Sequence, residues 1–317
     1  MNTPLIETKG IRKYFKTQRG LLHAVEDVNL TVEAGQTLGV VGESGCGKST
    51  LGRLILGLVD ATAGEVLLEG KNIVGIQGMK KRDMYNNIQM IFQDPFTSLN
   101  PRFSISNIIE EPLINMHKTK NPRELRERVT ELMDIVGLPK RYYNTYPHEL
   151  DGGRRQRVGL ARALALNPQF IVCDEPVSAL DVSIQAQILN LLMDLQDKQG
   201  LSYMFITHNL CVVKHISDFI MVMYMGQVVE YASTEDLFKE PQHPYTRALL
   251  SSIPLPDLSY RNRERSVLHG EVSSPINPAP GCRFAPRCPN ATDKCVGRDL
   301  PLKDVKTNHK VACTLFE

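Results

Sequence analysis

The sequence contains no long apolar run. The longest unbroken one, residues 219–225, has seven residues, whereas a helix that crosses a membrane needs about 20. Residues 1–10 also lack the apolar stretch of a secretory signal peptide. We therefore expect a cytosolic chain without a membrane span.

A charge excess of one sign is equally missing. The 37 Lys and Arg residues are balanced by 35 Asp and Glu residues, which leaves a net charge of +2. This balance disfavours a protein that binds nucleic acid through bulk charge. The seven cysteines are not expected to form a disulfide framework in a reducing compartment. Four of them lie within the last 36 residues, and this clustering needs its own explanation.

The chain of 317 residues is long enough for about two domains. Short apolar strands alternate with helical patterns, which predicts an α/β fold with a largely parallel sheet. Between about residues 94 and 165 the apolar residues recur at helical spacing, and one predicted helix ends at Gly137. Beyond residue 250 the chain becomes rich in proline. We expect a domain at 1–250 and a loop-rich extension at 251–317.

Residues 42–50 fit the pattern G-x-x-x-x-G-K-[ST] between a predicted strand and a predicted helix. The glycines let backbone N–H groups surround phosphate oxygens, and the helix N-terminus favours their negative charge. We expect Lys48 to contact the β- and γ-phosphates of ATP and the Ser49 hydroxyl to bind Mg²⁺. The residues predicted to bind ATP in this loop are Gly42, Glu43, Ser44, Gly45, Cys46, Gly47, Lys48, Ser49 and Thr50.

A second apolar strand, residues 170–173, ends in Asp174 and Glu175. A carboxylate at the carboxyl end of a buried strand suits Mg²⁺ binding beside a phosphate loop. We therefore expect Asp174 to hold Mg²⁺, directly or through water. Glu175 is expected to polarise the water that attacks ATP.

Residues 5–233 resemble the ATPase subunits of ABC transporters. The resemblance rests on these two motifs and on the Q-loop, signature, D-loop and switch histidine, which occur in the family's order. Gln93 occupies the position of the family's Q-loop glutamine, which senses Mg²⁺ and water. His208 occupies the position of the switch histidine, which bonds the γ-phosphate. The resemblance implies that Glu175, His208 and Gln93 are catalytic, and that Phe15, or its neighbour Tyr14, stacks on the adenine ring.

The resemblance also implies a fold and an assembly. The fold is that of a P-loop NTPase of the ABC-transporter ATPase type, with an antiparallel β subdomain and a helical subdomain at about 94–165. ATP is hydrolysed between two ATPase subunits, one of which gives the phosphate loop and the other the family signature. Asp181 is the residue of the D-loop that organises this dimer.

The family signature, usually Leu-Ser-Gly-Gly-Gln, is altered in this sequence. The residues at its place, which act on the partner's ATP, are Asp151, Gly152, Gly153 and Arg154. A carboxylate at the serine position would face phosphate, and at ~4 Å two like charges repel by ~4 kcal/mol at an effective dielectric constant of ~20. Arg154 could draw Asp151 aside and offset part of this repulsion. We therefore expect a heterodimer with a second, non-identical ATPase subunit and with unequal ATP sites.

Two further segments resemble the ATPase subunits of dipeptide and oligopeptide importers: residues 93–101 and residues 243–250, where a C-terminal extension begins. The resemblance implies ATP-driven peptide import through two membrane permease subunits, supplied by an extracytoplasmic substrate-binding protein. The chain would then lie peripherally on the cytoplasmic face of the membrane. A nickel importer shares much of this pattern and stays open, and a soluble ABC ATPase acting on nucleic acid or ribosomes is the weaker alternative.

The remaining observation is the four cysteines of the extension, which are separated by five, six and seventeen residues. Thiolates that bind a metal stabilise a segment with little core of its own, and this spacing fits no zinc finger. In the resembled importers such a tail binds a [4Fe–4S] cluster, which takes four thiolates. Zinc is the second candidate and four unliganded thiols the third. The predicted ligands are Cys282, Cys288, Cys295 and Cys313.

Overall fold

The computed structural model describes residues 3–119, 121–252 and 274–316. The strands are β1 (Ile6–Thr17), β2 (Gly20–Val32), β3 (Thr37–Val41), β4 (Ala63–Leu68), β5 (Lys71–Asn72), β6 (Ile88–Ile91), β7 (Phe170–Asp174), β8 (Ser202–Ile206), β9 (Phe219–Tyr224), β10 (Gln227–Ser233), β11 (Lys303–Lys306) and β12 (His309–Val311). The helices are α1 (Lys48–Ile55), α2 (Gly78–Asn87), α3 (Pro95–Ser98), α4 (Ile105–Asn115), α5 (Pro122–Ile135), α6 (Gly152–Leu164), α7 (Val182–Gln199), α8 (Leu210–Ile216), α9 (Thr234–Lys239) and α10 (Pro244–Ser251).

The described residues divide into two compact units. The first contains residues 3–5, 32–36 and 75–206. Strands β6, β7 and β8 form its parallel core, in which Ile88 pairs with Phe170 and Phe170 with Ser202. All five residues of β7 are buried, as expected for a parallel strand that is covered on both faces.

The helices α3 to α6 of the first unit lie in the segment where the sequence predicts helical spacing. Helix α5 begins after Asn121, whose side chain accepts a hydrogen bond from the N–H of Arg123, and Pro122 occupies its first position. Gly137, the second residue after the helix, adopts φ = 67°, which fits the predicted end of the helix. The apolar face of α5 is buried, as the spacing predicts, at Leu125, Val129, Leu132 and Met133.

The second unit contains the described residues of 6–31, 37–74 and 207–316. Its β3 runs parallel to β9, and β9, β10, β12 and β11 follow as antiparallel neighbours. A separate antiparallel sheet has the order β2-β1-β4-β5. Sheets and helices of both units are those of an α/β protein, in agreement with the predicted fold class.

The C-terminal extension enters the second unit as a strand pair. Strand β12 pairs with β10, so that Glu230 lies opposite Val311. The carboxylate of Glu230 is fully buried and accepts hydrogen bonds from the N–H groups of Gln242 and His243 and from Nε2 of His309. Residues 253–273, next to the predicted domain boundary at 250/251, lie outside the described residues.

Candidate functional site

The phosphate loop connects β3 to α1 in the second unit. Gly42 adopts φ = 151° and Gly47 adopts φ = 105°. A Cβ atom at Gly42 would lie 2.1 Å from the carbonyl oxygen of Met223, and one at Gly47 would lie 2.1 Å from that of Ala24. Only glycine fits these two positions, because both the backbone angle and the space exclude a side chain.

Lys48 is the first residue of α1, and its side chain folds back over the loop. The ammonium Nζ donates hydrogen bonds to the carbonyl oxygens of Gly42 at 2.8 Å and Glu43 at 2.9 Å. Lys48 is buried, so these bonds hold its charge at the loop. Ser49 and Thr50 follow in the first turn of α1.

The N–H and the side chain of Glu43 are bound by residues that the sequence does not single out for the site. The Glu43 N–H donates a hydrogen bond of 2.9 Å to the hydroxyl of Tyr245. Its carboxylate accepts from Nη1 of Arg287, in the C-terminal extension. Tyr245 belongs to the segment 243–250 that marks the predicted subfamily, whereas no local sequence signal relates Arg287 to a loop 244 residues away.

Two aromatic residues compete for the predicted adenine contact. Tyr14 donates its hydroxyl proton to Oε1 of Glu26 and stacks on the ring of His23 at 4.1 Å between centroids. Phe15 is 37% exposed, and its ring faces Nζ of Lys13 at 4.9 Å. The Tyr14 ring is thus engaged by other side chains, whereas the Phe15 ring is partly exposed.

The carboxyl end of β7 carries the predicted acidic pair of the first unit. Asp174 is buried, and Glu175 follows it with φ = 47°, a left-handed conformation that is costly for a residue with a side chain. The N–H of Glu175 donates to the carbonyl of Ile206 at 2.9 Å. Nε2 of Gln93 donates to Oε2 of Glu175 at 3.1 Å, so the structure brings two predicted catalytic residues together.

The altered signature forms the start of α6. Asp151 is the N-cap of this helix, and its Oδ1 accepts from the N–H of Arg154 at 2.8 Å. Its other oxygen pairs with the Arg154 guanidinium. Both side chains are exposed, so this ion pair contributes little to stability. A Cβ atom at Gly153 would lie 2.6 Å from Cγ2 of Ile184, whereas Gly152 has more room.

Asp181 and His208 lie at the ends of other elements. Asp181 is the N-cap of α7, and its Oδ1 accepts from the N–H of Ile184 at 3.0 Å. His208 lies between β8 and α8 and is exposed. Exposure of a histidine at a strand end is compatible with contact to a bound phosphate.

The four cysteines of the extension lie near one another. Burial, aided by the charges of the other three thiols and opposed by a hydrogen bond to the Phe284 backbone, raises the pKa of Cys282 to about 11. The N–H of Cys282 donates to the carbonyl of Cys295 at 2.8 Å, and the Cys295 sulfur lies 3.3 Å from the Thr314 hydroxyl. Within residues 3–119, 121–252 and 274–316, no three His, Cys, Asp or Glu side chains form a group that could hold a metal ion.

No described helix is both long and apolar enough to cross a membrane. A phosphate loop after a buried strand, an Asp-Glu pair at another strand end and a Gln bound to that Glu define an ATP-binding cassette. The family model of the ABC transporter matches residues 25–178, and that of the oligopeptide/dipeptide transporter, C-terminal region, matches residues 229–295. Together with the similarity to full-length relatives given next, these matches show that the chain belongs to the family of ABC-transporter ATPase subunits.

Two relatives match almost the whole chain. The dipeptide transport ATP-binding protein DppF of Haemophilus influenzae is 48% identical over 98% of this chain and 97% of its own length. The oligopeptide transport ATP-binding protein OppF of Escherichia coli is 50% identical over 97% of this chain and 92% of its own length. Among solved structures, the dimeric ATP-binding cassette MJ0796 bound to ADP and Pi matches with a TM-score of 0.67 and 29% identity, over 72% of this chain and 98% of that one.

Proposed function

We propose that this chain hydrolyses ATP to power the import of dipeptides or oligopeptides through two membrane permease subunits. The observation that carries this proposal is the match of residues 229–295 to the C-terminal region of oligopeptide and dipeptide transporters. The full-length similarity to proteins named for dipeptide and oligopeptide transport supports it. An extracytoplasmic substrate-binding protein supplies the peptide, and the chain lies peripherally on the cytoplasmic face of the membrane.

Each of the predicted site residues has its own role in the proposed hydrolysis. Lys48 holds the β- and γ-phosphates, and its bonds to Gly42 and Glu43 keep the ammonium in place. Glu175 polarises the attacking water, and Gln93 orients the Glu175 carboxylate. His208 bonds the γ-phosphate, and Phe15 stacks on adenine.

The donor set fits Mg²⁺, which prefers oxygen ligands. Ser49 offers a hydroxyl in the first turn of α1, and Asp174 offers a buried carboxylate at the end of β7. Together with Gln93, these residues would hold the ion, which neutralises charge that develops on the phosphates. The interface with a second, non-identical ATPase subunit would contain the altered signature, Asp151, Gly152, Gly153 and Arg154, and Asp181 of the D-loop.

For the extension we propose a [4Fe–4S] cluster, with zinc as the second candidate. The chemistry of the donor set fits, since four thiols provide the four sulfur ligands of such a cluster, and cluster binding would draw together side chains that form no such group among the described residues. The cluster would be held by Cys282, Cys288, Cys295 and Cys313. It would stabilise a segment whose described residues, 274–316, form short strands and single turns of 3-10 helix.

The test of the proposed import is uptake by the assembled transporter. Membranes containing the permeases, the partner ATPase and this chain should take up a labelled dipeptide on addition of ATP, and Lys48→Ala should abolish uptake because the phosphates lose their point charge. Lys71→Ala, which changes an exposed lysine of β5, should leave uptake unchanged. Uptake of Ni²⁺ without uptake of peptide would assign the transporter to nickel.

A further inference from the structure

An arginine of the C-terminal extension forms an ion pair with the phosphate loop. Nη1 of Arg287 lies 2.9 Å from Oε2 and 3.1 Å from Oε1 of Glu43, and 3.2 Å from the hydroxyl of Tyr224. The Arg287 side chain is only 8% exposed and that of Glu43 27%. A pair shielded from water to this degree is stronger than the exposed pairs of the surface.

Glu43, the residue that Arg287 contacts, also bonds to Lys48 and Tyr245. The Glu43 carbonyl accepts from Nζ of Lys48 at 2.9 Å, and the Glu43 N–H donates to the hydroxyl of the buried Tyr245 at 2.9 Å. A shift of Glu43 would therefore move both the backbone that faces the phosphates and the carbonyl that holds the Lys48 ammonium.

A second arginine of the extension supports the other end of the loop. The Cys46 carbonyl accepts from the N–H of Gly226 at 2.8 Å. Arg283 donates to the carbonyl of the preceding Met225 and pairs with Oε2 of Glu26 at 2.9 Å. The extension thus supports the two ends of the phosphate loop, directly at Glu43 and through Met225 at Cys46.

The charge of Glu43 gives this contact a consequence for ATP. A carboxylate in a loop that surrounds a triphosphate repels the phosphates unless a cation compensates it. The ammonium group of Lys48 binds the backbone carbonyls of Gly42 and Glu43 and not the Glu43 carboxylate in this arrangement. The compensating cation at the Glu43 carboxylate is Arg287.

We propose that Arg287 is a positioning residue of the ATP site, which neutralises Glu43 and holds it, and through it Lys48, in the arrangement that receives the phosphates. One residue of the extension, Arg287, then belongs to the nucleotide-binding machinery. This inference rests on the ATPase activity of the family and not on the proposed peptide import, so failure of either leaves the other intact.

The test is a double-mutant cycle in the full-length chain, with the Kd for Mg·ATP and the KM and kcat of hydrolysis as readouts. R287A should raise Kd and KM about tenfold, which corresponds to the loss of one well-shielded ion pair, with a smaller effect on kcat. E43Q should not raise Kd, because it removes the repulsion of the phosphates that Arg287 compensates, and R287A should raise Kd far less than tenfold on the E43Q background. K306A, which removes the exposed pair of the extension with Glu240, is the matched control and should leave Kd unchanged.

A Kd for R287A within twofold of the wild type would overturn the proposal. So would an R287A effect of equal size on the E43Q background, since the loss would then not act through Glu43. Because Arg287 is nearly buried, R287K provides the same comparison if R287A does not fold. It should weaken ATP binding severalfold in the native background, since lysine cannot match the guanidinium geometry, and not in the E43Q background; equal effects in both would refute the role.

Discussion

Nε2 of Gln93 donates a hydrogen bond of 3.1 Å to Oε2 of Glu175 and so joins the end of β6 to the end of β7. Glu175 adopts its left-handed backbone conformation at the same point, with its N–H bound to Ile206. Gln93 therefore holds the carboxylate, and Ile206 holds the backbone of the same residue. Such preorganisation is what a residue that polarises water requires.

The first prediction concerns this carboxylate. Glu175→Gln should bind ATP with nearly native affinity and trap a closed dimer, while single-turnover hydrolysis falls by about 10²–10⁴, the usual contribution of a positioned base. Glu131→Gln, which changes an exposed acid of α5, is the control. Single-turnover hydrolysis by the Glu175 variant at the wild-type rate would remove Glu175 from the mechanism.

The second prediction concerns the altered signature. If the site facing Asp151 is weak, as we propose, Glu175→Gln should reduce uptake by the assembled transporter far more than the same change at the matching glutamate of the partner ATPase. Asp151→Ser keeps a residue that caps α6. Because the two residues cap a helix about equally well, uptake should change by less than about twofold. Equal loss from the two Glu→Gln variants, or an Asp151→Ala variant as damaging as Glu175→Gln, would contradict unequal sites.

The third prediction concerns the cysteines of the extension. Chain purified without oxygen should be brown and contain about four irons per chain, the content of a [4Fe–4S] cluster. Cys288→Ser should remove the colour and expose residues beyond 250 to protease, while ATP binding by the core is retained. Cys211→Ser, which changes an exposed cysteine of α8, should have neither effect. Zinc without iron or sulfide would refute the cluster.

The fourth prediction concerns pH. Nδ1 of the buried His243 accepts from the N–H of Tyr245 at the start of α10, which requires the unprotonated nitrogen. Burial lowers the pKa of His243 to about 4, against the opposing charge of Glu230 and with the help of Arg247. At a pH between about 4 and the ordinary pKa of about 6.5, His243 binds a proton in the unfolded chain but not in the folded chain. Stability from this residue is therefore complete above pH 6.5 and is lost as the pH falls toward 4.

His243→Asn isolates this effect, because asparagine also caps helices but does not titrate. Between pH 7 and pH 4.5 the wild type should lose about 2 kcal/mol more of its free energy of unfolding than the variant, as proton linkage requires. Urea unfolding at the two pH values measures the difference. Parallel losses in both proteins would show that His243 does not carry the acid sensitivity.

The sequence determined the parts of the site that depend on a few adjacent residues. The glycines of the phosphate loop, Lys48 at the first position of α1 and the acidic pair after β7 follow from short-range patterns, since backbone conformation and helix start are local properties. The burial of the α5 face follows from helical spacing for the same reason.

Tertiary structure decided what lies far apart in the chain. The contact of Glu43 with Arg287 spans 244 residues and that of Gln93 with Glu175 spans 82. Asp151 is the contrasting case, because its partner Arg154 lies three residues away, and its carboxylate both caps α6 and pairs with that guanidinium. A side chain's type gives its charge, but its partners depend on how the chain packs, and the partners determine what that charge does.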